Sequence, residues 1–280
     1  GARVTAQVSV RSGVVGIPGD DSDHLRPGKD VGMTTILVFE DVSYRFAGSS
    51  VPALQNVSLT IPTGQRVVVL GRNGAGKSTL LLVGAGVLRP QQGRVRLGDR
   101  PIDYSRTGLL HLRHHVGLVM QSPDEQLFSA SVWQDISFGP LNLGLGPAAA
   151  EQAVRDAAAL CDITDLLDRP THALSGGQKA RVALAGVLAM RPQYLLVDET
   201  TSGLDLWARQ QIVQVFERLV AQGRTVVLAT HDLTLARRWA DLVIVLHAGS
   251  VAAVGSPQQI LNDTALRLLI APPEVWCDGN

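Results

Sequence analysis

Residues 71–78 read Gly-Arg-Asn-Gly-Ala-Gly-Lys-Ser, and no other stretch of this 280-residue chain limits its fold as tightly. An apolar, β-branched run at 66–70 leads into it, and Thr79 followed by leucines leads out. Strand, glycine loop and helix in that order form the context in which a G-x-x-x-x-G-K-[ST] match carries chemistry. Glycines let successive amide N–H groups turn inward, and a helix start adds partial positive charge, so backbone alone can hold a polyphosphate. Lys77 would reach the β- and γ-phosphates, and the Ser78 hydroxyl would take one position on Mg2+. Gly71, Asn73, Gly74, Ala75, Gly76 and Thr79 complete the candidate cradle.

The flanking sequence predicts the sheet that carries this loop. Residues 36–46 and 57–61 alternate as strands, with turn chemistry at 47–50 and 62–64. Further strands are expected at 93–97, 116–120, 194–197, 225–229, 242–246 and 250–254. Helices are expected at 132–138, 148–160, 177–190 and 206–221, with short helices up to residue 270. Apolar strands alternating with helices predict an α/β fold with a mainly parallel sheet covered on both faces. Between about 122 and 175 the composition shifts to a helical insert. Residues 1–32, rich in Gly, Ser and Asp, read as a disordered extension, and Met33 as a natural start. Residues 33–270 then form the domain, and 271–280 a short tail.

Composition narrows the function classes. A formal net charge of zero argues against a nucleic-acid surface. The longest apolar runs, 183–190 and 242–246, fall short of the ~20 residues that span a bilayer, so any membrane role is expected through a partner. The two cysteines, Cys161 and Cys277, lack ligand spacing and read as free thiols.

Two further stretches bear on phosphate chemistry. Residues 194–199 form an apolar strand ending in Asp198 and Glu199, where a parallel sheet presents ligands. Asp198 could hold Mg2+, and Glu199 could polarise an attacking water, although a capping Asp explains the pattern equally well in isolation. Leu174-Ser175-Gly176-Gly177-Gln178 opens a long helix and reads either as an N-cap or as a second anion cradle.

Taken with 202–205 (Ser-Gly-Leu-Asp) and 230–232 (Thr-His-Asp), these motifs resemble the nucleotide-binding subunit of ABC ATPases over residues 35 to 260. The resemblance implies a P-loop NTPase, RecA-like core with a mainly parallel sheet, an N-terminal antiparallel β part and a helical insert subdomain. It implies ATP and Mg2+ as ligands, with Phe46 stacking on adenine, His231 contacting the γ-phosphate, and Gln121 joining Ser78 and Asp198 around Mg2+. It also implies a head-to-tail pair, a homodimer or a heterodimer with a paralogue. In such a pair Ser175, Gly176, Gly177, Gln178 and Asp205 serve the nucleotide on the partner. Lys77, Glu199 and His231 would carry hydrolysis. One departure stands out: the family usually has Pro-Thr after the two acids, and here Thr200-Thr201 follows, with no catalytic atom missing.

The run Pro123, Asp124, Glu125, Gln126, Leu127, Phe128 and residues 135–145 resemble energy-coupling-factor importers. Residues 104–113 resemble their cobalt or nickel branch. That implies a membrane coupling subunit docked on 123–128, a separate substrate-binding subunit, and a peripheral position on the cytoplasmic face of the membrane. Vitamin uptake, for example of biotin, and a soluble ATPase of iron–sulfur cluster assembly are the alternatives. His111, His114 and His115 share a helix face but lack acid partners and read as ordinary exposed residues.

Overall fold

The computed structural model describes residues 36–199 and 204–271. The expectations for residues 1–32, Thr200-Thr201, Ser202, Gly203, most of the tail and Cys277 lie outside them. The chain runs β1 (Leu37–Tyr44), β2 (Leu54–Ile61), β3 (Arg66–Leu70), α1 (Lys77–Gly84), β4 (Gln92–Leu97), β5 (Arg100–Pro101) and α2 (Arg106–His115). It continues through β6 (Val116–Val119), α3 (Pro123–Gln126), α4 (Val132–Asn142), α5 (Pro147–Leu160), α6 (Gly176–Leu188), β7 (Tyr194–Asp198) and α7 (Leu206–Ala221). Then come β8 (Thr225–Ala229), α8 (Leu233–Trp239), β9 (Leu242–His247), β10 (Ser250–Gly255), α9 (Pro257–Asn262) and α10 (Thr264–Ile270).

Two sheets result. β2, β1, β4 and β5 lie side by side and antiparallel, while β10-β9-β3-β8-β7-β6 form the larger sheet. In the larger sheet only β10 runs antiparallel to its neighbour. The strands of its centre are apolar on both faces because both are covered. Val68, Leu195, Val197 and Leu228 pack under the helices α4 to α8. Val67, Val69, Leu196 and Val227 face the other way, against α1 and the antiparallel sheet. The buried Tyr194 hydroxyl donates to the Ile61 carbonyl at 3.2 Å and ties the two sheets together.

The expected strands are all present. β2 starts three residues earlier than the alternation suggests, α4 runs on through Pro140, and α3 is a helix the pattern did not reveal. Cys161 is a buried free thiol whose pKa is pushed up to about 12 by burial, which makes it inert. Among the described residues no helix is long and apolar enough to cross a membrane.

Register between β3 and β9 is held by a side chain. Asp241 accepts from the Arg66 backbone N–H at 2.9 Å and from its guanidinium at 3.0 and 2.5 Å. That guanidinium holds the Asp241 carboxyl below its ordinary range. A carboxylate whose folded pKa lies below its unfolded one stabilises at neutral pH and loses that contribution as pH falls through the folded value. Both groups are about a third exposed, so solvent screens much of the effect. Asp241→Asn is expected to cost about 0.5 kcal/mol at neutral pH, read by urea unfolding. The gap to the parent protein should close as pH drops below the carboxylate range.

Candidate functional site

β3 delivers the glycine loop to the C-terminal edge of the large sheet, and α1 leaves it. Gly76 occupies the N-cap of α1 at φ +103, and no side chain caps that helix. A Cβ there would sit 2.5 Å from the Ala53 carbonyl oxygen, so both backbone conformation and space require glycine. The first hydrogen bond of the helix runs from the Leu80 N–H to the Gly76 carbonyl. The amides of Lys77, Ser78 and Thr79 therefore remain as helix-start donors for an anion. Not every predicted cradle residue offers a free group. The Ala75 N–H is given to the Arg72 carbonyl at 3.0 Å, and the Thr79 side chain is buried. Asn73, Gly74 and Ser78 are exposed, and Gly71 is buried against β9.

Lys77 is only 7% exposed, and its Nζ donates to the carbonyls of Gly71 at 2.9 Å and Arg72 at 3.3 Å. The Glu199 carboxylate lies 3.6 Å from the same nitrogen. Glu199 follows the last residue of β7, and its N–H still pairs with the Ala229 carbonyl of β8 at 3.0 Å. Its φ of +42 is a left-handed conformation that costs a non-glycine residue about 1 kcal/mol, and such strain concentrates at functional sites. The carboxylate gathers two long polar contacts besides lysine. His231 Nδ1 stands 3.4 Å from Oε1, and Gln121 Nε2 stands 3.5 Å from Oε2. Four residues from four separate elements thus converge on one point.

Asp198 is raised above the ordinary carboxylate range, chiefly by burial and further by Glu199, while a hydrogen bond from Ser78 and the Lys77 charge pull it down. Ser78 and Asp198 thus place two hard oxygen ligands in contact, beside a lysine and an orphan helix start. That donor set fits a small divalent cation that also takes phosphate oxygens. Phe46 follows β1, is 45% exposed and meets Tyr44 in a T-shaped pair at 5.0 Å, so part of its ring reaches solvent.

The remaining predicted residues lie elsewhere on the chain. Ser175 caps α6 in a reciprocal box: its hydroxyl accepts from the Gln178 N–H at 3.3 Å, and Gln178 Oε1 accepts from the Ser175 N–H at 3.0 Å. A Cβ on Gly176 would meet nothing within 4 Å, whereas one on Gly177 would lie 2.9 Å from Ala208 Cβ. Asp205 caps α7 by accepting from the Ala208 N–H at 2.8 Å.

The acidic run divides between two faces. Asp124 pairs with Lys179 of α6 at 2.6 Å, and Gln126 turns inward to the Met120 N–H and the Ala183 carbonyl. Leu127 packs against the core, while Glu125 and Phe128 stay exposed. Phe128 meets Phe138 of α4 edge-on at 4.7 Å, both rings being more than half exposed. The nearly buried Asp135 shapes this loop by accepting from the N–H groups of Phe128 and Ser129, a role with no local signal in the sequence. The His111 and His115 rings meet on α2 at 4.7 Å, tilted by 50°, and no metal-holding cluster of His, Cys, Asp or Glu occurs among the described residues.

A glycine loop between a parallel strand and a helix, with two acids at a nearby strand end, defines the class of P-loop nucleotide-binding proteins. Within that class the matches are specific. The profile described as ABC transporter matches residues 54–202. The cobalt import ATP-binding protein CbiO of Rhodobacter capsulatus is 52% identical over 83% of this chain and 83% of its own length. The energy-coupling factor transporter ATP-binding protein EcfA2 of Methanospirillum hungatei is 41% identical over 84% of this chain and 58% of that longer protein. Among solved structures, cbiO1 of Clostridium perfringens, described as part of the ABC transporter complex cbiONQ, superposes with a TM-score of 0.74. It shares 40% identity over 82% of this chain and 92% of its own. A dimeric post-hydrolysis cassette, MJ0796 bound to ADP and Pi, matches at 26% identity and a TM-score of 0.71, covering 79% and 98%. The chain belongs to the ABC transporter family, as an ATP-binding, ATP-hydrolysing subunit of the energy-coupling-factor type.

Gly76→Ala is expected to abolish ATP binding and to lower unfolding stability by about 2 kcal/mol, from the forced φ and the Ala53 clash together. Equilibrium binding of ATP and urea unfolding of the same sample check both parts.

Proposed function

We propose that this chain hydrolyses ATP to drive import of cobalt ions through membrane partners to which it binds peripherally, on their cytoplasmic side. The observation that carries the catalytic part is the convergence of Lys77, Gln121 and His231 on the Glu199 carboxylate. Amides at the start of α1 and Lys77 bind the triphosphate, and Phe46 stacks on the base. Ser78, Asp198 and Gln121 would hold Mg2+, which supplies charge neutralisation at the phosphates. Glu199 orients a water in line with the γ-phosphorus and takes its proton, and His231 steadies the γ-phosphate.

On the same reading the site is completed by a second copy. Gly176, Ser175 and the start of α6 face outward with room for a ligand, and the resemblance to a dimeric cassette bound to ADP and Pi supports a head-to-tail pair. Gln178 and Asp205 then act by holding their helix starts in shape. Cobalt is favoured over a vitamin because the relative at 52% identity is named for cobalt import. Phe128 and Phe138, with Glu125 beside them, suit a partner segment that brings apolar area and positive charge. Cargo selection rests with the membrane subunits.

Glu199→Gln is expected to keep ATP binding, lower turnover by about a thousandfold and trap the paired form. It should also stop uptake of radiolabelled cobalt by cells expressing the whole transporter. Near-parental turnover would remove Glu199 from its role, and uptake of nickel or a vitamin in place of cobalt would correct the cargo. Phe128→Asp is expected to leave ATP binding unchanged and to strip the chain from its membrane subunits during purification.

A further inference from the structure

Arg181 lies five residues into α6 and is 6% exposed. Its Nη1 donates to the carbonyls of Cys161 at 3.3 Å and Asp162 at 2.5 Å, just past α5, where Asp162 takes a left-handed φ of +52. The Asp162 carboxylate is 3.6 Å away, and the guanidinium carbon sits 5.3 Å from the centre of the Trp207 ring. Nε is buried without a hydrogen-bond partner among the described residues. A buried guanidinium with an unmet N–H is a poor way to fill space, because an apolar residue would pack there without the desolvation cost. What it does achieve is directional: one planar group joins the end of α5, the helix α6 and the first turn of α7.

That first turn meets α6 a second time. Ala208 closes against Gly177, while Gly176 next to it faces open space. The two glycines therefore do different jobs, one seating α6 on α7 and the other leaving room for a ligand. Trp207 is 57% exposed, so its ring is held over Arg181 without being needed in the core.

We propose that Arg181, with Trp207 and Ala208 of α7, is a positioning device that fixes where Ser175 and Gly176 stand relative to the phosphate they close over. The inference rests on the reading that this segment serves the nucleotide of a second copy. Because Trp207 lies on the surface, its removal tests the idea without threatening the fold.

In the full chain, Trp207→Ala is expected to lower kcat about tenfold, with ATP affinity and melting temperature unchanged, and Trp207→Phe to restore most of it. Arg181→Lys keeps the charge but loses the planar fork. It should match Trp207→Ala, and the double variant should be no worse than either alone. Gly177→Ala should be impaired, and adding Ala208→Gly should recover it by relieving the crowding. Parental kcat in Trp207→Ala, multiplying effects in the double variant, or no recovery from Ala208→Gly would each overturn the proposal. Gly176→Glu separates it from the underlying reading, since the added side chain meets open space within its own chain. If Gly176→Glu is inactive while Trp207→Ala is not, only the positioning device fails. If Gly176→Glu turns over normally, the two-copy site itself is wrong.

Discussion

A buried lysine facing two adjacent carboxylates at the edge of the large sheet is the constraint on which the site depends. Lys77 satisfies its own charge with the Gly71 and Arg72 carbonyls and with Glu199, while Asp198 is pushed toward its neutral form by burial. One cation against two carboxyl groups, one of them biased toward its neutral form, leaves little positive charge to spare before any phosphate arrives. A triphosphate turns that balance into a shortage, and helix-start amides carry only partial charges. On the proposed reading, a divalent cation and a second helix start from another copy would make up that shortage. The sheet serves this end: β3, β7 and β8 run parallel and present their C-terminal ends together.

How much of this was legible in the sequence varies with how local each interaction is. The loop, Lys77 and the strand ending in Asp198 and Glu199 are short, contiguous patterns whose chemistry lies in the residues themselves. The parallel sheet followed from apolar runs covered on both faces. The short α3 was hidden because it is not announced by a long periodic stretch, and β2 begins at Leu54 before its alternation becomes clear. The left-handed backbone at Glu199 and the packing of Gly177 on Ala208 depend on neighbours distant in sequence, which no single-chain pattern records.

The acidic run after Gln121 shows the same division at closer range. As a string, residues 123–128 look like one exposed epitope. In the fold, Gln126 bridges the end of β6 to α6 and Leu127 packs inward, while Asp124, tethered to Lys179, faces out with Glu125 and Phe128. A carboxylate seven residues further on, Asp135, holds the turn that makes this split possible. Surface and scaffold are interleaved residue by residue, so on the proposed docking reading a change at one position would perturb docking while its neighbour would perturb the helix that Ser175 caps.

The reciprocal hydrogen bonds between Ser175 and Gln178 have a consequence for timing. A helix whose opening turn is already locked would not need ordering if two copies meet there as proposed, so little conformational freedom would be surrendered at that moment. The Ser175 hydroxyl accepts within the box yet keeps its proton to give away. On the proposed two-copy reading, closure would be the meeting of two finished surfaces, and reopening would leave no unfolded segment to repair.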